Sequence, residues 1–120
     1  MARRVLIVDD DPAFLELASR VVAEFGAAVV ATAADARQAV EMAAASRPDA
    51  VLVDVGLPDR DGIDLANQLT ELPWRPRVVL TSSDKDALMA IEARDGHHRL
   101  PFIAKEELAS ESLRRALLDG

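Results

Sequence analysis

Val5-Leu6-Ile7-Val8-Asp9-Asp10 and Ala50-Val51-Leu52-Val53-Asp54 share one design: an unbroken apolar run of β-formers that ends in carboxylate. Four apolar residues without polar alternation predict strands buried on both faces, the habit of parallel sheets. Ligands of an open α/β sheet gather at the carboxyl ends of its strands. If the two strands are neighbours, Asp9, Asp10 and Asp54 converge on one pocket. Two carboxylates about 4 Å apart repel by roughly 4 kcal/mol at an effective dielectric near 20, so the pattern demands a proton, a cation or an arginine for relief. These stretches predict a site as well as a sheet.

The rest of the chain alternates around them. Asp11-Pro12 supplies a cap and a first-turn proline, and Phe14, Leu15, Ala18, Val21, Val22 and Phe25 recur at helical spacing before Gly26, a C-terminal stop. Ala28 to Ala31 reads as a second strand, and Asp35 to Ser46 as a second helix closed by Arg47-Pro48. After the third strand, residues 55–62 are dense in turn formers. Ile63 to Glu71 forms the third helix, broken by Pro73 and Pro76; Arg77 to Thr81 the fourth strand; and Asp84 to Ala93 the fourth helix. Leu100 to Ala104 is the fifth strand and Glu106 to Leu118 the last helix, acidic at its start and with Arg114-Arg115 near its end, as the helix dipole favours. Five strands and five helices in strict alternation predict an α/β, doubly wound parallel sheet with right-handed crossovers, in the order 2-1-3-4-5.

At 120 residues, half of them apolar, the chain reads as one domain able to bury roughly two-thirds of its unfolded surface. A net charge of −7 argues against direct nucleic-acid binding, and the absence of cysteine excludes disulfides and thiolate metal sites. The apolar run after Arg3-Arg4 is too short for a signal peptide or membrane span, so the expectation is a cytoplasmic protein with no membrane partner. The two lysines are Lys85 and Lys105.

Four strands end in polar groups: Asp9-Asp10, Asp54, Thr81 and Lys105. The order 2-1-3-4-5 sets those four strands side by side around the switch point between the first and third. Acids suit a hard cation, a lone carboxylate suits a nucleophile, and a hydroxyl and an ammonium suit an anion. His97-His98 after Gly96 reads as a solvated loop, Trp74 as loop packing, Asp59 and Arg60 as solvated loop charges, and Asp61 as a cap of the third helix.

In Asp9-Asp10, Asp54-Val55-Gly56-Leu57-Pro58-Asp59-Arg60-Asp61-Gly62, Thr81-Ser82 and Phe102-Ile103-Ala104-Lys105, taken in order, the chain resembles the receiver domains of two-component response regulators over the whole of residues 1–120. The resemblance implies a flavodoxin-like fold and a phosphorylation-dependent switch. Asp54 accepts a phosphoryl group from a histidine kinase or a histidine phosphotransfer protein. Asp10, Asp54 and the Gly56 carbonyl bind Mg²⁺, with Asp9 acting mainly through water. Lys105 and Thr81 then engage the phosphate, while Phe102 turns inward behind Thr81. A downstream protein or output domain reads the face built by the fourth helix, fifth strand and fifth helix, with the receiver a monomer or a phosphorylation-dependent dimer. It implies no enzyme beyond self-phosphotransfer and slow self-dephosphorylation.

Two rivals come from other classes. A phosphatase or phosphotransferase of the aspartyl-phosphate type usually has a second acid two residues after its nucleophile, where this chain has Gly56. A non-phosphorylated receiver-like scaffold would not need the intact Asp9, Asp10, Asp54, Thr81 and Lys105. The chain departs from the family pattern in carrying Glu106 where proline is common after the lysine, and in a long stretch from Gly96 to Phe102 with Pro101 within it. The positions that tune phosphate lifetime in the family are Gly56 and Ser83 here, both small.

Overall fold

The computed structural model describes residues 2–83 and 100–119. Strands β1 (Arg4–Val8), β2 (Ala28–Ala33), β3 (Ala50–Asp54), β4 (Arg77–Ser82) and β5 (Phe102–Ala104) form one parallel sheet in the order β2-β1-β3-β4-β5. The helices among the described residues are α1 (Pro12–Glu24), α2 (Ala36–Ser46), α3 (Gly62–Thr70) and α4 (Glu111–Leu118). The helix expected over Asp84 to Ala93 and the pair His97-His98 lie outside those residues. The doubly wound, flavodoxin-like fold is as the sequence predicts.

Alternation along each apolar run divides the core in two. Leu6, Val8, Val51, Val53, Val78 and Leu80 pack against Ala36, Ala39 and Ala43 of α2 and Ile63, Leu65 and Leu69 of α3. Val5, Ile7, Leu52, Val79 and Ile103 point the other way, against Phe14, Ala18 and Val22 of α1 and Leu113 and Leu117 of α4. Both faces are dry, which is why these strands need no polar residue until they end. Each fully buried Leu, Ile or Val contributes about 1.5–3 kcal/mol over an exposed one.

The three boundaries that differ most from expectation do so each for a local reason. β2 runs on to Ala33, because Val8 and Ile7 of β1 pair with Ala33 and Thr32. β5 starts at Phe102 rather than Leu100: Pro101 has no N–H to give, although its carbonyl still accepts from Leu80 N–H at 2.8 Å. The last helix starts at Glu111 rather than Glu106, because Ser110 Oγ caps Leu113 N–H at 3.2 Å. Lys105–Glu107 instead forms a short 3₁₀ turn, followed by the buried Leu108.

The end of the sheet remote from the acids is held by well-matched polar contacts. Arg4 N–H donates to Asp49 Oδ2 at 2.9 Å and Asp49 N–H returns a bond to Arg4 O at 2.7 Å. Trp74 Nε1 donates to Pro48 O at 2.9 Å with Arg47 stacked on its ring, so it packs the loop as expected. The Arg77 guanidinium reaches the carbonyls of Arg115, Ala116 and Asp119, closing the C-terminus of α4.

Candidate functional site

The opposite end of the sheet collects the acids. Pairing of Val8 with Val53 brings the ends of β1 and β3 level, and pairing of Asp54 with Thr81 sets hydroxyl beside carboxylate. Asp9 is wholly buried: its N–H donates to Ala33 O at 3.0 Å, and its Oδ1 accepts from Asp11 N–H at 2.9 Å. Asp11 in turn caps α1, as expected, through Ala13 N–H. Asp10 faces solvent and Asp54 is 6% exposed.

The loop of residues 55–61 after Asp54 is drawn tight. Gly56 N–H donates to Asp54 Oδ1 at 3.2 Å, and Gly62 N–H to Val55 O at 3.1 Å. Gly62 lies so close to the Asp54 carbonyl and Val55 Cα that a Cβ there would collide with both. At Gly56 the case is different, since a Cβ would sit 3.8 Å from Asp54 Oδ1 in ordinary contact. Asp61 caps α3 by accepting from Ile63 N–H at 2.8 Å.

Lys105 enters from the end of β5. Its Nζ lies 2.6 Å from Asp9 Oδ2 and 3.6 Å from Asp54 Oδ2, and 4.4 Å from the centroid of the Phe14 ring. Burial works to hold this ammonium below the lysine range, but hydrogen bonding to Asp9 and the charges of Asp54 and Asp9 outweigh it and lift it higher. Asp54 is raised above the carboxylate range, chiefly by burial and also by Asp9 and Asp10, against the lowering pull of Gly56 N–H and Lys105. Thr81 Oγ1 donates to Val53 O at 3.5 Å, a long bond at the edge of what counts as one. Phe102 lies apart from the acids, half-buried beside the layer that holds Leu80.

Asp9, Asp10 and Asp54 each offer a carboxylate oxygen within 4.8 Å of the others. Mg²⁺ takes oxygen ligands, commonly one or two carboxylates, and keeps several waters, so this acidic cluster would suit it with Asp9 acting through water. Asp9 Oδ2 is buried and pairs with the Lys105 ammonium 2.6 Å away. An all-oxygen set of three clustered carboxylates fits a hard cation and offers no nitrogen or sulfur donor of the kind Zn²⁺ takes.

The sequence profile of the response regulator receiver domain matches residues 5–117. The chain belongs to the response regulator receiver domain family. Among its relatives, the transcriptional regulatory protein PdtaR of Mycobacterium tuberculosis is 39% identical over 93 residues, which are 78% of this chain and 45% of that protein. The chemotaxis protein CheY of Bacillus subtilis is 32% identical over 93 residues, 78% of each. A solved two-component response regulator of the LuxR family from Aurantimonas sp. SI85-9A1 superposes with a TM-score of 0.79 at 26% identity, over 95% of this chain and 81% of that one. The chain thus spans under half the length of PdtaR.

Receiver domains carry phosphorylation-dependent signalling between kinases and downstream effectors and bind Mg²⁺ through acidic residues. This receiver domain brings Asp9, Asp10, Asp54, Thr81, Lys105 and the Gly56 backbone to one place and leaves Phe102 outside it. No described helix is long and apolar enough to cross a membrane. Two neighbours escaped the sequence reading. Phe14 reads only as a core position of α1, yet its ring underlies Lys105 Nζ; its place in the first helical turn, next to the strand ends, was the available signal. Asp59 is exposed, as expected of a loop charge, but both its carboxylate oxygens also accept backbone N–H groups of α2, which the sequence reading missed.

Proposed function

We propose that this receiver accepts a phosphoryl group on Asp54 from a phosphohistidine of a histidine kinase or histidine phosphotransfer protein. The observation that carries the reading is the buried Asp54 carboxylate held between Asp9, Asp10 and the Lys105 ammonium at the strand ends. An Asp54 oxygen attacks phosphorus while the P–N bond breaks, and the electron pair leaves with the imidazole, which is then protonated. Asp10, Asp54 and the Gly56 carbonyl would hold Mg²⁺, with Asp9 through water, and the ion supplies the charge that cancels repulsion between the two anions.

The chain's own groups do the rest. Lys105 Nζ, now nearest Asp9, is one short swing from a phosphoryl oxygen on Asp54. Thr81 gives up only a 3.5 Å bond to Val53 O when its hydroxyl turns to the phosphate. Shifting a two-state equilibrium from 1:99 to 99:1 takes about 5.5 kcal/mol. One charge-assisted hydrogen bond contributes roughly 1.5–3 kcal/mol, so Thr81 needs Lys105 and nearby backbone N–H groups beside it. Phe102, half-buried on β5, follows Thr81 inward and alters the face to which β5 and α4 contribute. A downstream protein or output domain reads that face. The receiver unit takes in residues 1–120, works in the cytoplasm, and has no enzymatic turnover beyond self-phosphotransfer and slow self-dephosphorylation.

Incubation with Mg²⁺ and acetyl phosphate, followed by mass spectrometry, tests the reading. One phosphoryl group per chain on Asp54, absent in Asp54→Asn and in EDTA, is the expected result. Absence of labelling with both acetyl phosphate and beryllofluoride would leave a scaffold, and steady phosphate release from many substrates would make the protein an enzyme.

A further inference from the structure

The first turn of α2 is satisfied by two acids from different parts of the chain. Asp35, the local cap, accepts from Gln38 N–H at 2.8 Å, and Gln38 Oε1 accepts from Ala34 N–H at 3.0 Å. That local exchange leaves the N–H groups of Ala36 and Arg37, which point out of the helix end with no intrahelical acceptor. Asp59 takes both: Ala36 N–H donates to Oδ1 at 2.9 Å and Arg37 N–H to Oδ2 at 3.2 Å. These hydrogen bonds, Ala36 N–H foremost, hold the Asp59 carboxyl below the usual range, so the clip is anionic at neutral pH.

Asp59 belongs to the loop that follows Asp54. The loop is closed at its base by Gly62 N–H on Val55 O, and its middle is plugged by Leu57, buried among the α2-side residues. Gly56 hangs between these anchors with its N–H on Asp54 Oδ1. Its peptide plane is therefore set by Val55 on one side and by Leu57 to Asp59 on the other. An apolar plug alone tolerates sliding and rotation, whereas two charge-assisted hydrogen bonds to adjacent amides define an orientation.

We infer that Asp59 is a positioning residue of the phosphoryl-acceptor site: by clipping the 55–61 loop to the N-terminus of α2, it holds the Gly56 peptide in place over Asp54. The inference rests on the reading of Asp54 as acceptor and the Gly56 carbonyl as a cation ligand. Linkage makes the effect reciprocal, since whatever orders the loop also caps α2.

The test compares Asp59→Asn with Asp35→Ala, which uncaps the same helix end without touching the acceptor loop. Amide hydrogen exchange at Ala36, Arg37 and Gly56 and Mg²⁺ titration followed by amide shifts are read together with the rate of acetyl phosphate labelling. Asp59→Asn is expected to lose protection at all three amides, and to weaken Mg²⁺ binding by about three- to tenfold, the span of a lost cap. Asp35→Ala is expected to lower Tm while leaving Mg²⁺ affinity within about twofold of the parent. An Asp59→Asn protein whose Tm falls as in Asp35→Ala but whose Mg²⁺ affinity is unchanged overturns the inference. A parent that binds Mg²⁺ yet is never labelled on Asp54 defeats the acceptor reading, and the Mg²⁺ comparison still decides for or against Asp59. A parent that does not bind Mg²⁺ overturns both.

Discussion

The two ends of the sheet treat charge in opposite ways. At the strand starts, Arg4 and Asp49 exchange two short bonds, Trp74 finds Pro48, and Arg77 closes α4. At the strand ends, three carboxylates crowd together, Lys105 pairs with only two of them, Asp9 and Asp54, and the Thr81 hydroxyl is barely engaged. The same strands supply both ends, so the contrast owes nothing to the core between them. Groups whose demands are met hold a fold together. Groups left with unmet demands can respond when a phosphoryl group or a cation arrives.

The largest effect expected is from Lys105→Met. It strands the buried Asp9 carboxylate, and breaking a buried pair from one side costs about 3 kcal/mol in metal-free protein, read by urea unfolding in EDTA. Mg²⁺ should restore much of the loss; no destabilisation would mean that the acidic end is not under-compensated. The pH dependence has a defined sign. Because the folded ammonium is raised, its contribution is complete below the unfolded lysine value and disappears as pH rises through the higher folded one.

Asp54→Asn should act in the other direction. Asp54 is raised in the fold, so the native state binds its proton more tightly, and stability falls as pH rises from near 3.8 through the raised value. The asparagine protein should therefore show a higher urea midpoint than the parent at pH 7 in EDTA, by less than Lys105→Met costs, with the gap closing toward acid pH. A gap that persists at pH 3 would assign the gain to something other than charge.

At the satisfied end, Trp74→Phe and Arg77→Ala should each cost about 1 kcal/mol by losing hydrogen bonds, with labelling of Asp54 and Mg²⁺ affinity unchanged. Altered labelling there would show that the ends are coupled. The smallest effect on stability is expected from Gly56→Asn, where the Cβ has room. The new side chain would overhang Asp54 and change the dephosphorylation rate measured after acetyl phosphate removal. Unchanged rates both there and in a bulky Ser83 variant would remove these two positions from control of phosphate lifetime.

Local signals were legible in the sequence. Apolar runs ending in acid placed β1 and β3, Asp11 and Asp61 announced the helices they cap, and Gly26, at φ +92, ends α1 as a residue without Cβ should. What escaped depends on contacts between distant segments. Asp59 meets α2 across 23 residues of chain, and an acid in a loop rich in Pro, Gly and Asp carries no mark of such a partner. Phe14 and Lys105 meet only because α1 and β5 pack on one face of the sheet. The last helix, expected from Glu106, begins instead after the Ser110 cap, because Leu108 is buried ahead of it, a packing contact the local pattern does not reveal.

Gly62 has no chemistry of its own, yet the space its side chain would fill is taken by the main chain of Asp54 and Val55. In a mutational scan scored by signalling output, position 62 should therefore be as intolerant as the acceptor itself. Even alanine there would act as a wedge driven into the peptide that carries the acceptor carboxylate.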